Sequence, residues 1–156
     1  MTDREYMQRA IEMGQKGMRA GAGGPFGAII VRDGLILSEA HNGVFAHNDP
    51  TAHAEVQAIR AACQKIDHYQ LDGATLYTTC EPCPMCLGAI YWARPARIVY
   101  ACTRDDAADA GFDDAFIYRE IMLPLHQRSI PLNSEGRKEA LPLFEEWRDM
   151  EKPDLY

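Results

Sequence analysis

Two short stretches decide how this chain is read: Ala52-His53-Ala54-Glu55-Val56 and Glu81-Pro82-Cys83-Pro84-Met85-Cys86. After the first, Val56, Ile59, Ala62, Cys63 and Ile66 recur at helical spacing; after the second, an apolar run from Leu87 to Ala93 ends at Arg94-Pro95. Each stretch therefore opens a helix. Cys83 and Cys86 stand at i and i+3 on one helix face, where two sulfurs can grip a single ion. His53 and Glu55 are about 200° apart around a regular helix and share no side face. They converge only on a point end-on to the helix N-terminus, where the first turn fans outward. The same position suits the cysteine pair behind Pro82, and two helix dipoles aimed there favour thiolate and hydroxide. Two thiolates with one imidazole suit zinc and leave one tetrahedral position for water, and nothing in the pattern points to redox chemistry. His53, Cys83 and Cys86 are thus the expected ligands of one Zn2+, with Glu55 as the proton carrier beside it.

Cys80-x-x-Cys83 also has ligand spacing, so a closed site of Cys80, Cys83, Cys86 and His53 is the alternative. Against it, Cys80 sits at a strand end, where its side chain follows strand alternation. Cys63 and Cys102 read as buried small hydrophobes.

Upstream, Tyr6, Met7, Ala10, Ile11, Gly14 and Met18 mark an amphipathic helix over residues 4–19, weakened by Gly14 and Gly17. Phe26 to Val31 and Leu35 to Ser38 flank Asp33-Gly34 and predict a β-hairpin, followed by a polar loop over 41–51. Strands are expected at 74–79 and 97–101, and Leu87 to Ala93 reads as a buried helix body. The order β-β-α-β-α-β predicts an α/β fold: a mixed, mostly parallel sheet with the hairpin at one side and helices on its faces. Beyond Thr103, residues 105–114 are acidic and Ala-rich and 115–122 read as a helix. Ala140, Leu143, Phe144 and Trp147 then give a C-terminal helix face. One domain over 1–156 is expected, with 134–156 as a C-terminal helix and polar tail.

The chain has 156 residues, 47% of them hydrophobic and 25% charged, with a net charge of −7. A chain of this length buries roughly 70% of its unfolded surface and needs no disulfide staples. No apolar stretch is long enough for a membrane helix. Charges in Asp3-Arg4-Glu5 argue against a secretory leader, so the five cysteines read as reduced thiols and the expected location is cytoplasmic. No basic stripe for a phosphate backbone is present, and residues 135–156 hold seven acidic against four basic side chains. Nucleic acid is not an expected partner.

The arrangement of His53, Glu55, Pro82, Cys83 and Cys86 resembles the cytidine-deaminase-like superfamily, whose zinc deaminases carry H-x-E followed by P-C-x-x-C. Further segments, Gly24-Pro25-Phe26-Gly27-Ala28, Asn48-Asp49-Pro50-Thr51 and Ala110-Gly111-Phe112-Asp113-Asp114, look like the bacterial guanine deaminases of that fold, as does the terminal Tyr156. The resemblance implies a three-layer α/β/α architecture and hydrolysis of guanine to xanthine and ammonia, with attack at C2 and Glu55 passing protons to N3 and to the departing amine. It also implies purine recognition by Asn42, a binding and proton-carrying role for Asp114, and a homodimer in which the C-terminal segment can cross to close the neighbouring site.

The residues themselves support these roles unequally. Guanine presents N1–H and its 2-amino group side by side as donors, and a carboxylate such as Asp114 is the matching acceptor. Asn42 offers a donor and an acceptor, but Asn42-Gly43 is equally a turn. Phe26 can stack on a base or fill the core. Tyr156 is a lid candidate at a terminus, where chains usually fray. Glu81 reads either as a carboxylate that orients the cysteine loop or as an exposed acid. Guanosine or another base, a transfer RNA adenosine and a non-catalytic zinc-stabilised module are the competing readings. Only the last has no use for Glu55.

Overall fold

The computed structural model describes residues 1–151, 155 and 156, so part of the expected polar tail, residues 152–154, lies outside the described residues. The chain forms two compact units, Met1–Ala115 and Phe116–Tyr156.

The first unit is built on a four-stranded sheet in the order β2-β1-β3-β4, with β1 Gly27–Arg32, β2 Leu35–His41, β3 Thr75–Cys80 and β4 Arg97–Cys102. The hairpin β1–β2 closes through Asp33 and Gly34, both at positive φ as a tight two-residue turn requires. β1 pairs antiparallel with both β2 and β3, and only β3–β4 is a parallel pairing. The expected mixed sheet is present with the hairpin at one side, but parallel pairings are the minority. β1 lies inside, between β2 and β3, so β2, β3 and β4 run in one direction although two of the three pairings are antiparallel. The cause is the crossover through α3 Ala54–Ile66, which carries the chain from β2 past β1 to β3.

Alternation along β1 then sorts the core. Ala28 and Ile30 face α3 and α4 Pro84–Ala93, packing with Ala58, Ala62, Leu76 and Ile90, whereas Ile29 and Val31 face α1 Asp3–Arg19 and pack with Tyr6, Ala10 and Tyr77. This is the three-layer α/β/α arrangement. A capping box starts α1: Glu5 N–H donates to Thr2 Oγ1 at 3.3 Å, and Thr2 N–H donates to Glu5 Oε2 at 2.6 Å. Its two helix-weakening glycines have a packing reason. A Cβ on Gly14 would lie 3.1 Å from the backbone of Phe26 and Gly27, and one on Gly17 would strike the His41 ring; from the other side, a Cβ on Gly27 would strike the Ala10 carbonyl. Small residues let helix and strand approach to backbone contact.

Two expectations about burial and one about a loop fail. α4 buries only Cys86, Ile90 and Ala93, while Tyr91 and Trp92 are exposed, because the helix packs on the core along one side. Cys102 is exposed, since it ends the edge strand β4. The polar loop after β2 contains a four-residue helix, α2 Val44–His47, closed by Asn48 in the left-handed region.

The carboxyl ends of β2, β3 and β4 share one rim of the sheet. α2 and α3 follow β2, α4 follows β3, and α5 Arg104–Asp109 follows β4. Such a rim is where open α/β sheets place their ligands.

The second unit contains most of α6 Ala115–Met122, a 3₁₀ turn at Leu125–Gln127 and α7 Arg137–Asp149, which carries Pro142 in its interior. Glu120 fastens the connection by accepting from the backbone N–H and hydroxyl of Ser129 at 2.8 and 2.7 Å. α6 and α7 bury none of their side chains; Leu143 and Phe144 are 67% and 64% exposed.

Overpacking at the α1–β1 contact costs about 1–3 kcal/mol. Gly27→Ala is expected to lower stability by that amount, read as a reduced urea midpoint with an unchanged slope; an unaltered midpoint would contradict the backbone contact.

Candidate metal centre and active site

His53 is the N-cap of α3 and Cys83 the N-cap of α4, both in extended backbone conformation (φ −69°, ψ 154° and φ −66°, ψ 167°), and Pro84 occupies the first turn of α4. The helices therefore meet end-on, as the spacing of His53 and Glu55 requires. His53 Nδ1 lies 3.5 Å from Cys83 Sγ and 3.4 Å from Cys86 Sγ, and the three donor atoms fall within 4.8 Å of one another. Tetrahedral zinc with ordinary Zn–N and Zn–S bonds puts nitrogen and sulfur ligands about 3.5 Å apart. The donor set and its spacing fit that ion. Among the described residues this is the one such group of His, Cys, Asp or Glu. Cys80 stands outside it, with its Sγ turned to the Thr103 carbonyl at 3.5 Å, so the closed four-protein-ligand alternative is not what the chain builds.

Glu55, in the first turn of α3, is buried against this group without being a member of it. Its Oε1 accepts from the Thr78 hydroxyl at 3.0 Å, and its Oε2 lies 3.5 Å from Cys86 Sγ. Thr78 sits mid-strand in β3 and is 1% exposed. Burial pushes the Glu55 carboxyl above the usual carboxylate range, against the pull of its hydrogen bonds. Cys83 is held down at about 4 by the Cys86 thiol, which donates to it, by His53 and by the Cys86 backbone N–H. Cys86 is driven strongly up by the sulfur of Cys83 and by burial, and the bond to Cys83 raises His53. One thiolate is therefore set by the protein alone, and a cation among the three groups favours the second.

These groups open onto a cavity of about 250 Å³, whose walls include His53, Glu55, Cys83, Gly24, Phe26, Asn42, Val44, Phe45, Pro50, Glu81, Phe112 and Asp114. Asn42 is 5% exposed, and its Oδ1 accepts from the backbone N–H groups of Gly24 and Val44 at 3.3 and 3.1 Å. Both anchors spend the oxygen and fix the side-chain amide against the cavity wall. Asn42 thus serves the turn and the cavity together. Phe26 meets Phe112 edge to face, with centroids 4.8 Å apart. Asp114 is half-buried at the cavity, and desolvation, then the negative Cys83, push its pKa up. Tyr156 belongs to the second unit and is 66% exposed.

Sequence reasoning passed over Thr78 and Phe112. Thr78 carried a signal, as a polar residue within a strand flanked by helices. Phe112 was visible only as part of an acidic, Gly-containing segment.

Residues 1–102 match the family model for the cytidine and deoxycytidylate deaminase zinc-binding region. The chain is 53% identical over 156 residues to guanine deaminase of Bacillus subtilis (strain 168), covering 100% of both. The X-ray structure of guanine deaminase from Bacillus subtilis superposes with a TM-score of 0.97 at 52% identity, covering 100% of this chain and 99% of that one. A tRNA-specific adenosine deaminase of Aquifex aeolicus is 47% identical over 77 residues, 49% of this chain and 51% of its own. A crystal structure of a mutant of the protein NE0047 in complex with 8-azaguanine has a TM-score of 0.70 and 31% identity, covering 72% of this chain and 65% of that one.

Removing one thiolate leaves too few donors to hold the ion tightly. Cys86→Ser is expected to reduce zinc, measured by elemental analysis after dialysis, from one per chain to a small fraction. Retention of a full equivalent would exclude Cys86 as a ligand.

Proposed function

The chain belongs to the cytidine and deoxycytidylate deaminase zinc-binding family, and we propose that within it the protein is a guanine deaminase, hydrolysing guanine to xanthine and ammonia. The observation that carries this reading is a buried carboxylate, Glu55, set beside a three-donor metal group and lining the same cavity of about 250 Å³ as Asp114. Full-length identity of 53% with a guanine deaminase supports the choice of base, whereas the sequence likeness to tRNA-specific adenosine deaminases is lower and covers 49–65% of the chain.

Zinc held by His53, Cys83 and Cys86 supplies the Lewis acidity for hydrolysis. The remaining roles fall to the chain's own side chains. Thr78 holds Glu55 by Oε1, leaving Oε2 on the side of the metal group, where it takes one proton from the attacking water and gives it to purine N3, then takes the second proton from that same oxygen and gives it to the amine as the C2–N bond breaks. Burial raises the affinity of Glu55 for that proton, as a carrier between groups of different basicity needs. Asp114 accepts from guanine N1–H and the 2-amino group, a donor pair that adenine and cytosine lack. Asn42, with its oxygen committed to Gly24 and Val44, presents its NH₂ as a donor to purine acceptors. Phe26 and Phe112 provide an aromatic wall for the ring.

We propose in addition that the active form is a homodimer and that the C-terminal segment of one copy, ending in Tyr156, closes the site of the other. Leu143, Phe144 and Trp147 on α7 support this, as apolar side chains left 38–67% exposed on an isolated chain.

Ammonia release assayed across guanine, guanosine, adenine, cytosine and their nucleosides tests the substrate. Turnover of guanine above all others is expected, and preference for a nucleoside would overturn the free-base assignment. Glu55→Gln is expected to keep zinc and fold while kcat falls at least about a thousandfold, within the usual worth of a general acid–base; undiminished turnover would remove Glu55 as the carrier. Deleting Leu155 and Tyr156 is expected to raise KM for guanine, and unchanged kinetics would exclude the lid.

A further inference from the structure

Arg104 follows directly on Thr103, which caps α5, and reaches back across the site rim to Glu81, the residue between β3 and Pro82-Cys83. The Glu81 carboxylate accepts three bonds from this one residue: backbone N–H to Oε2 at 3.1 Å, Nε to Oε1 at 3.1 Å and Nη2 to Oε1 at 2.6 Å. In turn, Glu81 N–H donates to the Cys102 carbonyl at 2.8 Å, extending the β3–β4 ladder by one residue. Glu81 is thus neither an exposed acid nor a helix first-turn charge.

The pair joins two parts of the site with different tasks. On one side lies the loop that delivers Cys83, held between Pro82 and Pro84. On the other, α5 leads into an arm that turns at Gly111 (φ 94°), is fastened by Phe112 N–H to the Ala107 carbonyl at 2.9 Å, and brings Phe112 and Asp114 to the cavity. Ala107, on the same short helix, is itself buried at the cavity wall. Local bonds shape the arm: Thr103 and Asp106 form a capping box, and Asp113 Oδ1 accepts from Ala115 N–H at 2.9 Å. Those bonds fix its conformation but not its distance from the metal loop. The Glu81–Arg104 clasp spans that gap.

We propose that Glu81 and Arg104 are positioning residues that set the substrate-edge arm, and with it Asp114, at a fixed distance from the metal group. The proposal rests on the guanine deaminase reading for its kinetic readout alone. A fork of charge-assisted bonds is both stronger and more directional than a single contact, and small misplacements of a substrate-orienting group cost large factors in rate.

Glu81→Gln, Arg104→Gln and the double variant test this through three measurements: zinc content, binding and turnover of purines, and amide hydrogen exchange. Each single variant is expected to keep one zinc per chain and to raise KM for guanine and Kd for 8-azaguanine tenfold or more, with a smaller change in kcat. Exchange over residues 104–114 is expected to accelerate at least tenfold while residues 54–66 stay as protected as before. The double variant is expected to be no worse than either single one, because both remove the same clasp. Loss of zinc with KM unaltered would overturn the proposal by making Glu81 a support of the cysteine loop alone. Unchanged exchange over 104–114 together with unchanged 8-azaguanine affinity would overturn it by making the clasp an ordinary surface pair. If the unsubstituted protein releases no ammonia from guanine, the functional reading fails, while exchange over 104–114 still decides for or against the clasp.

Discussion

Two helix N-termini brought to the same point at one rim of a sheet are the constraint around which this protein is arranged. His53 and Cys83 are the cap residues of those helices, and Cys86 lies one turn deeper. A cap residue has extended backbone and points its side chain along the helix axis, so ligands at caps converge between the helices rather than beside them. Glu55, two residues beyond a cap, is then carried to the same place and buried there, 6% exposed with one oxygen committed to Thr78. Had His53 fallen one turn inside α3, imidazole and carboxylate would face different neighbours.

The sheet serves this geometry. Because β1 lies between β2 and β3, the three strands that precede site segments all end at one rim, and each leads into a different part of the metal group and cavity wall: Asn42 and His53 after β2, the cysteines after β3, Phe112 and Asp114 after β4. Small residues make the layers close enough to hold that rim rigid. Ala54, Ala58 and Ala62 line the buried face of α3, and Gly14 and Gly27 bring α1 to backbone contact with β1. The glycines that weaken α1 as an isolated helix are what allow it to pack.

Much of this was legible in the residues. The metal group followed from the i, i+3 cysteines and from the geometric conflict between His53 and Glu55, which only an end-on site resolves. The elements followed from periodicity, including the hairpin at Asp33-Gly34. Strand order did not, because hydrophobic alternation says which residues are buried but not which strand is the neighbour; hence a sheet expected to be mostly parallel has two antiparallel pairings out of three. The burial of α4 was overstated for a related reason: Tyr91 and Trp92 are apolar in composition but lie on the face turned from the core. The clasp of Glu81 and Arg104 joins residues 23 apart and left no local trace in the sequence.

The account rests on an ion held by two sulfurs and one nitrogen with a coordination position left for a light atom. X-ray absorption at the zinc edge on the protein as purified measures that shell directly. It predicts two Zn–S and one Zn–N contributions from protein, completed by one further oxygen or nitrogen scatterer. A shell with three sulfurs, or a protein that holds no zinc, would contradict it.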